Sequence, residues 1–216
     1  MCVALGPLTL ASPSKSDAND PYGCLPWLDS QKSASVAYVS FGTSATPPPH
    51  ELAALAEGLE ASGIPFLWSL KDRVKVHLPE GFLERTSKRG KVVPWTPQWK
   101  VLDHSAVGVN VTHCGWNSVL ESIMGGVPII FRPFFGDHML IGRFVSDIWE
   151  IGVNAGDGVF SKQGTLDALE IILCKEKGKK MRQKVEALKQ IARRAVGPEG
   201  STTKNFNTLL EIVTRR

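Results

Sequence analysis

The sequence predicts an α/β domain built on a doubly wound parallel sheet. Three observations support this prediction: short apolar runs alternate with segments of helical periodicity, the connections between them are short, and no internal repeat is visible. Strands that alternate with helices form right-handed βαβ units, whose parallel sheet is covered on both faces. Of the 216 residues, 43% are hydrophobic and 21% are charged, which is typical of a globular domain and not of a disordered or fibrous chain.

The first half of the chain supplies the first predicted elements. Residues 36–41 form an apolar run that ends at a glycine, which predicts a strand. After three consecutive prolines, apolar residues recur at helical spacing over 50–61, which predicts a helix. Two further apolar runs predict strands over 65–70 and 91–94, and a short helix is predicted over 98–103.

The second half of the chain continues the alternation. Apolar runs predict strands over 107–111, 127–131 and 151–154. Helical periodicity predicts helices over residues 117–124, 138–149, 163–173, 179–195 and 202–213. The last three helices follow one another and close the chain.

The beginning of the chain has a different composition. Residues 1–34 are turn-rich, with prolines at positions 7, 13, 21 and 26 among Ser and Asp residues. We interpret residues 1–34 as a connecting arm that enters the domain and not as the start of its core. The α/β domain is predicted to span residues 35–216.

Charge, hydropathy and cysteine content exclude several classes of protein. The net charge of +4 is spread along the chain, whereas a nucleic-acid partner requires clustered positive charge. No run reaches the roughly 18 apolar residues of a membrane span, and the first residues lack a signal-peptide pattern. The four cysteines, Cys2, Cys24, Cys114 and Cys174, are scattered. This pattern predicts free thiols in a reducing compartment, and we expect a cytoplasmic protein.

The functional site is expected where several strands end. Parallel α/β sheets bind ligands beyond the carboxyl ends of their strands, where helices begin. Four stretches follow predicted strands in this way: residues 42–43, 95–98, 112–118 and 132–138. These stretches are also the richest in Gly, Trp, His, Asn and Asp, which supports the expectation that they form one site.

The stretch between the strand at 107–111 and the next helix has the most specific composition. Gly115 permits a close approach of a ligand to the backbone, and the helix N-terminus favours an anion such as phosphate. His113 would add a hydrogen bond or a positive charge. Glu121 shares a helical face with Asn117 and Ser118 and is suited to accept from hydroxyl groups such as those of a ribose. The alternative is that Asn117 only caps the helix and Glu121 is only a solvated residue.

Other residues in these stretches leave two interpretations open. Trp95 follows a strand directly, so its indole is either part of the core or a platform for a base. Asp137 and His138 follow another strand and could form an acid–base pair or bind a polyhydroxylated ligand. The alternative for Asp137 is a helix N-cap.

Nucleophilic and metal chemistry are not expected. Cys114 and His113 are adjacent at a strand end, so their side chains point in different directions and form no nucleophile–base pair. His104, His113 and Cys114 lack a fourth ligand at metal-binding spacing. No metal site is therefore predicted.

Residues 95–138 carry a resemblance to a known family. The segment reads WTPQWKVLDHSAVGVNVTHCGWNSVLESIMGGVPIIFRPFFGDH. These 44 residues resemble the plant secondary-product glycosyltransferase box in length, order and punctuation. The resemblance extends from Trp27-Leu28-Asp29 to the last helix, and residues 132–153 are most similar to flavonoid and anthocyanidin 3-O-glycosyltransferases, enzymes of plant secondary metabolism.

The resemblance implies a fold and a role for each site residue. The chain would be the Rossmann-like C-terminal, donor-binding domain of a GT-B glycosyltransferase. Trp95 would stack on uracil, and Gln98 and Glu121 would bind the ribose. The diphosphate would be held by Thr43, His113, Asn117 and Ser118. The sugar would be contacted by Trp116, Asp137 and His138.

The resemblance also implies an activity. Members of this glycosyltransferase family transfer a hexose with inversion from a UDP-sugar to a hydroxyl of a small phenolic acceptor, for example a flavonoid 3-OH. They use neither a cofactor nor a metal. The general base of the family is a His of the N-terminal acceptor domain, which this chain lacks. No catalytic residue is therefore assigned here, and the chain alone is expected to be inactive and monomeric.

Two positions depart from the expected pattern. His138 stands where glucosyl-transferring relatives commonly carry Gln and some galactosyl-transferring relatives carry His. UDP-galactose and UDP-glucose both remain candidate donors. Asn110 lies in a predicted buried strand, where an unpaired amide would cost about 1–3 kcal/mol. We expect it to have a hydrogen-bond partner or to lie near the surface.

Two alternative functions are considered. A truncated UDP-sugar-binding module without turnover would share every residue described above. A nucleotide-binding enzyme that uses NAD is disfavoured, because no G-x-G-x-x-G motif follows the first strand.

Overall fold

Six parallel strands form one sheet in the computed structural model, which describes residues 19–43 and 45–214. The strands are β1 Val36–Ser40, β2 Phe66–Ser69, β3 Gly90–Val93, β4 Val107–Thr112, β5 Ile129–Phe131 and β6 Gly152–Asn154. Their order is β3-β2-β1-β4-β5-β6, so the chain reverses its direction of winding between β1 and β4. This is the strand order of a Rossmann fold, and the predicted doubly wound α/β class is confirmed.

Nine α-helices within residues 19–43 and 45–214 accompany the sheet. They are α1 Cys24–Asp29, α2 Pro49–Ser62, α3 Phe82–Thr86, α4 Gln98–Leu102, α5 Trp116–Gly125, α6 His138–Arg143, α7 Lys162–Cys174, α8 Glu176–Val196 and α9 Ser201–Thr214. A 3₁₀-helix covers Asp72–His77, and a π-helical turn covers Phe144–Ile148. Every strand and helix predicted from the sequence is present, although the helix predicted over 138–149 divides into α6 and the π-helical turn.

Apolar clusters cover both faces of the sheet. On one face, Val39 and Val111 pack with Leu55 of α2 and Leu169 of α7. On the other face, Tyr38 packs in a cluster that includes residues of α1 and α4. The central strands β1 and β4 are buried along their whole length, which holds their carboxyl ends rigidly side by side.

The interpretation of residues 1–34 as only a connecting arm is corrected by the helix α1 at residues 24–29. Cys24 and Leu28 of α1 are fully buried against the sheet. The carboxylate of Asp20 accepts hydrogen bonds from the backbone N–H groups of Cys24 and Leu25 at 2.9 and 2.8 Å. This helix therefore belongs to the core. Residues 1–18 lie outside the described residues, and the boundary at residue 35 stays a prediction.

Asn110 is buried in the middle of β4 and has hydrogen-bond partners. Its Nδ2 donates to Ser122 Oγ at 2.7 Å and to Ser118 Oγ at 3.4 Å. The expectation that this amide has a partner is confirmed. Among the helices of the described ranges, none combines the length and the apolar character needed to cross a bilayer.

Candidate functional site

A pocket opens at the carboxyl ends of β1 and β4, where the winding of the chain reverses. Its walls come from the turns after these two strands and from the first turns of α4 and α5. The lining residues are Gly42, Thr43, Gln98, His113, Gly115, Trp116, Asn117, Ser118 and Glu121. Seven of the ten predicted site residues thus surround one pocket, at the edge of the sheet where the sequence placed the site.

A second pocket adjoins the first along the ends of β1, β2 and β3. It shares Gly42, Thr43, Gln98 and Glu121 with the first pocket and adds Trp95. Lys71 also lines it, and its Nζ donates to the carbonyl oxygen of Thr43 at 2.8 Å. Lys71 was not singled out from the sequence, although its position directly after a strand at this edge was a usable signal.

The N-terminus of α5 presents unpaired backbone donors to the first pocket. Gly115 occupies the N-cap position, where no side chain caps the helix. The first helical hydrogen bond runs from the Val119 N–H to the Gly115 carbonyl at 3.1 Å, so the N–H groups of residues 116–118 precede the helical ladder. The alternative that Asn117 only caps the helix is wrong. An anion is the ligand that such an end favours.

His113 is held between two glycines. A Cβ atom built on Gly42 would lie 3.0 Å from the ring, and one built on Gly115 would lie 2.3 Å from it. Burial, and secondarily the charge of His138, lower the pKa of His113 to about 4, although Asp137 opposes this shift. The imidazole is therefore neutral near pH 7 in the unliganded site. It offers a hydrogen bond to a ligand and not a positive charge.

Gln98 and Glu121 form a polar pair between the two pockets. Gln98 Nε2 donates to Glu121 Oε2, and the Tyr38 hydroxyl donates to Gln98 Oε1 at 3.0 Å. The same hydroxyl is 2.7 Å from Thr96 Oγ1, and burial raises the pKa of Tyr38. Glu121 is thus more than a solvated helix residue. Tyr38 and Thr96 were missed in the sequence; the signal was a tyrosine in a buried strand, whose hydroxyl needs a partner.

The two tryptophans of the site are partly exposed. Trp95 exposes 38% of its surface at the end of β3, so it is not part of the core. Trp116 exposes 46% of its surface in the first turn of α5, with its ring centroid 6.3 Å from that of Trp149. Each indole lines one of the pockets and leaves part of its surface uncovered, which a planar or sugar ligand could contact.

Asp137 and His138 lie beside the pockets without lining either of them. Asp137 is exposed at the N-cap position of α6, but its carboxylate makes no capping hydrogen bond. His138 is only 6% exposed, and its ring packs on those of His113 and Phe135 at centroid distances of 4.9 and 4.7 Å. Its Nδ1 is buried without a partner among the described residues. Their predicted contact with a sugar stays a prediction.

The cysteine of the site is not suited to act as a nucleophile. Cys114 is fully buried with a φ of 67°, and burial raises its thiol pKa to about 12. A thiol that stays protonated is a poor nucleophile. Within residues 19–43 and 45–214, no cluster of three or more His, Cys, Asp or Glu side chains is arranged to hold a metal ion.

Comparisons with known proteins identify similar chains. The model of a family described as UDP-glucoronosyl and UDP-glucosyl transferase matches residues 11–192. An anthocyanidin 3-O-galactosyltransferase of Rhododendron delavayi is 62% identical over 93% of this chain and 43% of its own length. An anthocyanidin 3-O-glucosyltransferase of Manihot esculenta is 58% identical over 99% of this chain and 74% of its own length.

A solved structure is also similar to this chain. The crystal structure of UDP-glucose: anthocyanidin 3-O-glucosyltransferase in complex with UDP superposes with a TM-score of 0.90 at 53% identity. The match covers 95% of this chain and 45% of the solved one. The chain therefore spans less than half of this protein and of the Rhododendron relative, and about three quarters of the Manihot relative.

Proposed function

The chain belongs to the UDP-glucoronosyl and UDP-glucosyl transferase family, and from this premise we propose that it binds the donor of a UDP-sugar-dependent glycosyltransferase. The whole enzyme would transfer galactose or glucose, with inversion, to a hydroxyl of a small phenolic acceptor such as a flavonoid 3-OH. The donor would be a UDP-sugar, and neither a cofactor nor a metal would take part.

The observation that carries this proposal is the arrangement around His113. The ring lies between Gly42 and Gly115, and Gly115 is the N-cap residue of α5. A diphosphate placed there would accept hydrogen bonds from the unpaired amides of α5 and from the imidazole, and the helix dipole would favour its charge. The backbone of Thr43, fixed by Lys71, would form the opposite wall.

The second pocket suits the nucleoside that a diphosphate would carry. The Glu121 carboxylate accepts hydrogen bonds, which is what the two hydroxyls of a ribose require. Tyr38 donates a hydrogen bond to Gln98, and Gln98 donates one to Glu121, so these two side chains hold the carboxylate in place. Trp95 lies beyond it in the same pocket, where its exposed face would stack on the base. Phosphate, ribose and base would thus follow one another along the edge of the sheet.

The contribution of this domain to transfer would be stabilisation of the leaving group. As the sugar–phosphate bond breaks, negative charge develops on the departing UDP, and preorganised amides lower the energy of that state. The neutral His113 would add a donor without the cost of burying a charge. The base that takes the proton of the acceptor hydroxyl is assigned to no residue of this chain.

A second candidate is a UDP-sugar-binding module without turnover. The observation in its favour is that the residues lining the two pockets are suited to hold a UDP-sugar, while none of them is assigned as the general base. The two candidates differ only in product formation. Incubation of the chain with UDP-galactose or UDP-glucose and a flavonol, followed by chromatography of the products, separates them.

Calorimetric titration tests the proposal. UDP, UDP-galactose and UDP-glucose are titrated separately into the chain, with NAD as the control ligand. We expect saturable binding of UDP and of at least one UDP-sugar and no binding of NAD. Absence of UDP binding by a chain that is shown to be folded by circular dichroism would refute the proposed function.

A further inference from the structure

A buried ion pair ties together the loops at the carboxyl edge of the sheet. Arg132 follows β5, and its guanidinium donates to both carboxylate oxygens of Glu51, at 3.0 and 2.6 Å. Glu51 lies in the first turn of α2, and the exposed fractions of the two side chains are 15% for Arg132 and 1% for Glu51. The Phe160 N–H also donates to Glu51, at 2.9 Å. The pair thus connects the segment after β5 with α2 and with the loop after β6.

Aromatic rings enclose this pair. The guanidinium of Arg132 lies 4.0 Å from the ring centroid of Phe134. Phe41 makes edge contacts with Phe134 and Phe160, at centroid distances of 6.1 and 5.6 Å. The three rings come from the loops after β1, β5 and β6, so the pair and its surroundings fix these loops relative to one another.

The charge of the pair is maintained in the folded protein. Burial alone would raise the pKa of Glu51, but the hydrogen bonds from Arg132 and Phe160 lower it below its usual value. Burying two charges is costly and is often no better for stability than an apolar contact of the same size. Bidentate geometry does, however, fix the direction of a loop more closely than an apolar contact does.

The loop that Arg132 anchors leads directly to two predicted sugar contacts. Asp137 and His138 follow Arg132 within six residues. The predicted contacts to base, ribose and diphosphate lie elsewhere, in the turns after β1, β3 and β4. Arg132 is therefore connected through six residues of backbone to the sugar side of the site, whereas its surroundings reach the nucleotide side only through the ring of Phe41, which precedes Gly42.

We infer that Arg132 and Glu51 are positioning residues for the hexose of the donor, an inference that rests on the proposed function. They hold the loop over residues 133–138 in the conformation that meets the sugar, and they touch neither the nucleotide nor the sugar themselves. Loss of the bidentate geometry is expected to weaken binding of the UDP-sugar while leaving binding of UDP unchanged.

The variant Arg132→Lys tests this inference. Lysine keeps the positive charge but replaces the bidentate fork by a single donor group. Glu51→Gln is the second variant, because its amide oxygen still accepts from Phe160. The matched control is Arg85→Lys, which alters the bidentate pair of Arg85 with Glu60 at the opposite end of α2. Each protein is titrated with UDP and with the UDP-sugar that the unmodified chain binds.

The expected result separates the sugar from the nucleotide. For Arg132→Lys and Glu51→Gln, the Kd of the UDP-sugar should rise roughly three- to thirtyfold, whereas the Kd of UDP should stay within about twofold. Arg85→Lys should change neither value. Hydrogen exchange of the unliganded variants should be faster over 133–138 and unchanged over 113–118.

Two results would overturn the inference. If UDP and the UDP-sugar weaken by the same factor, the pair only supports the fold. If exchange over 133–138 is unchanged and the ratio of the two Kd values stays constant, the pair does not position the loop. Failure of the unmodified chain to bind UDP would instead refute the proposed function, and the inference with it.

Discussion

At the scale of single residues, the nucleotide pocket depends on side chains that the fold leaves partly uncovered. Trp95 is the clearest case, because its indole lies beside the Gln98–Glu121 pair and is only partly packed against the protein. By contrast, Phe41 and Phe160 at the same edge are almost completely buried. An indole that stays open beside a polar pair has a surface available for a base.

Trp95→Ala is expected to weaken UDP binding by roughly 1–3 kcal/mol, because the stacking of a base on an aromatic ring contributes about this much. Trp95→Phe retains a ring and should recover most of the lost affinity. Calorimetric titration of UDP into the three proteins measures the difference. An unchanged affinity of Trp95→Ala would show that the base does not lie on this indole.

Some residues of the site could be predicted from the sequence, whereas some of the contacts between them could not. His113, Asn117 and Glu121 could be placed together from the sequence because all three follow one recognisable strand closely. The hydrogen bond from Tyr38 to Gln98 joins residues 60 positions apart in the sequence. Such long-range pairs depend on how strands are ordered in the sheet, and no local pattern reports that order.

At the scale of elements, the connection between β4 and α5 controls the shape of the phosphate side of the pocket. Cys114 has a left-handed backbone, with a φ of 67°, which turns the chain sharply after the strand. Gly115 then has an ordinary extended conformation, with φ −67° and ψ 143°. Glycine is needed at this position because a side chain would collide with the ring of His113, and not because of the backbone angles.

Gly115→Ala is therefore expected to displace the imidazole of His113 and to weaken UDP binding by about 1 kcal/mol, the usual value of one hydrogen bond. The matched control is Gly197→Ala. Gly197 also has an extended backbone, and an added Cβ would meet its nearest atom at 3.4 Å. Both variants should remain folded, as measured by thermal unfolding. Equal UDP affinities for the two variants would contradict the role given to Gly115.

Three short helical elements could not be predicted from the sequence, and the physical reason is the same for all three. α1 and α3 have six and five residues, and the 3₁₀-helix at Asp72–His77 has six. With no more than two helical turns, such segments show little apolar periodicity and are easily missed. Apolar residues keep their helical spacing past Arg143, which is why one helix was predicted over 138–149. The backbone, however, changes to a π-helical turn after Arg143. Hydrophobic periodicity does not distinguish the two conformations at this point.

At the scale of the whole molecule, the strand order brings together residues that are far apart in the sequence. Thr43, Trp95 and Asn117 belong to three separate βα connections, and the reversal between β1 and β4 places them at one edge. The same topology brings Glu51 to Arg132. Parallel pairing was predictable from the alternation of strands and helices, and so was the edge of the sheet at which the two pockets open. The ion pair between Arg132 and Glu51 was not predictable, because nothing in the local sequence distinguishes it from two surface charges.

The site and the stability of the whole molecule are connected through His113. Its pKa of about 4 lies below the ordinary value of 6.5, so the unfolded chain binds a proton between these two pH values and the folded chain does not. The free energy of unfolding therefore contains a contribution that is complete above pH 6.5 and is lost as the pH falls towards 4. The carboxyls of Asp20 and Glu51 have lowered pKa values, so their contributions begin to be lost only below their usual values of 3.8 and 4.5.

We expect acidification through this window to destabilise the chain by on the order of 1–2 kcal/mol through His113, after allowance for solvent screening of a partly buried ring. His113→Asn should lose less stability over the same pH range, because it has no group that titrates there. His77→Asn is the control, since His77 is exposed in the 3₁₀-helix and should retain the slope of the unmodified chain. Urea unfolding at several pH values between about 4 and 6.5 measures these slopes. If His113→Asn and the unmodified chain lose stability in parallel, the imidazole is not held neutral by its burial between the two glycines. A diphosphate bound below pH 6.5 would then meet a charged histidine.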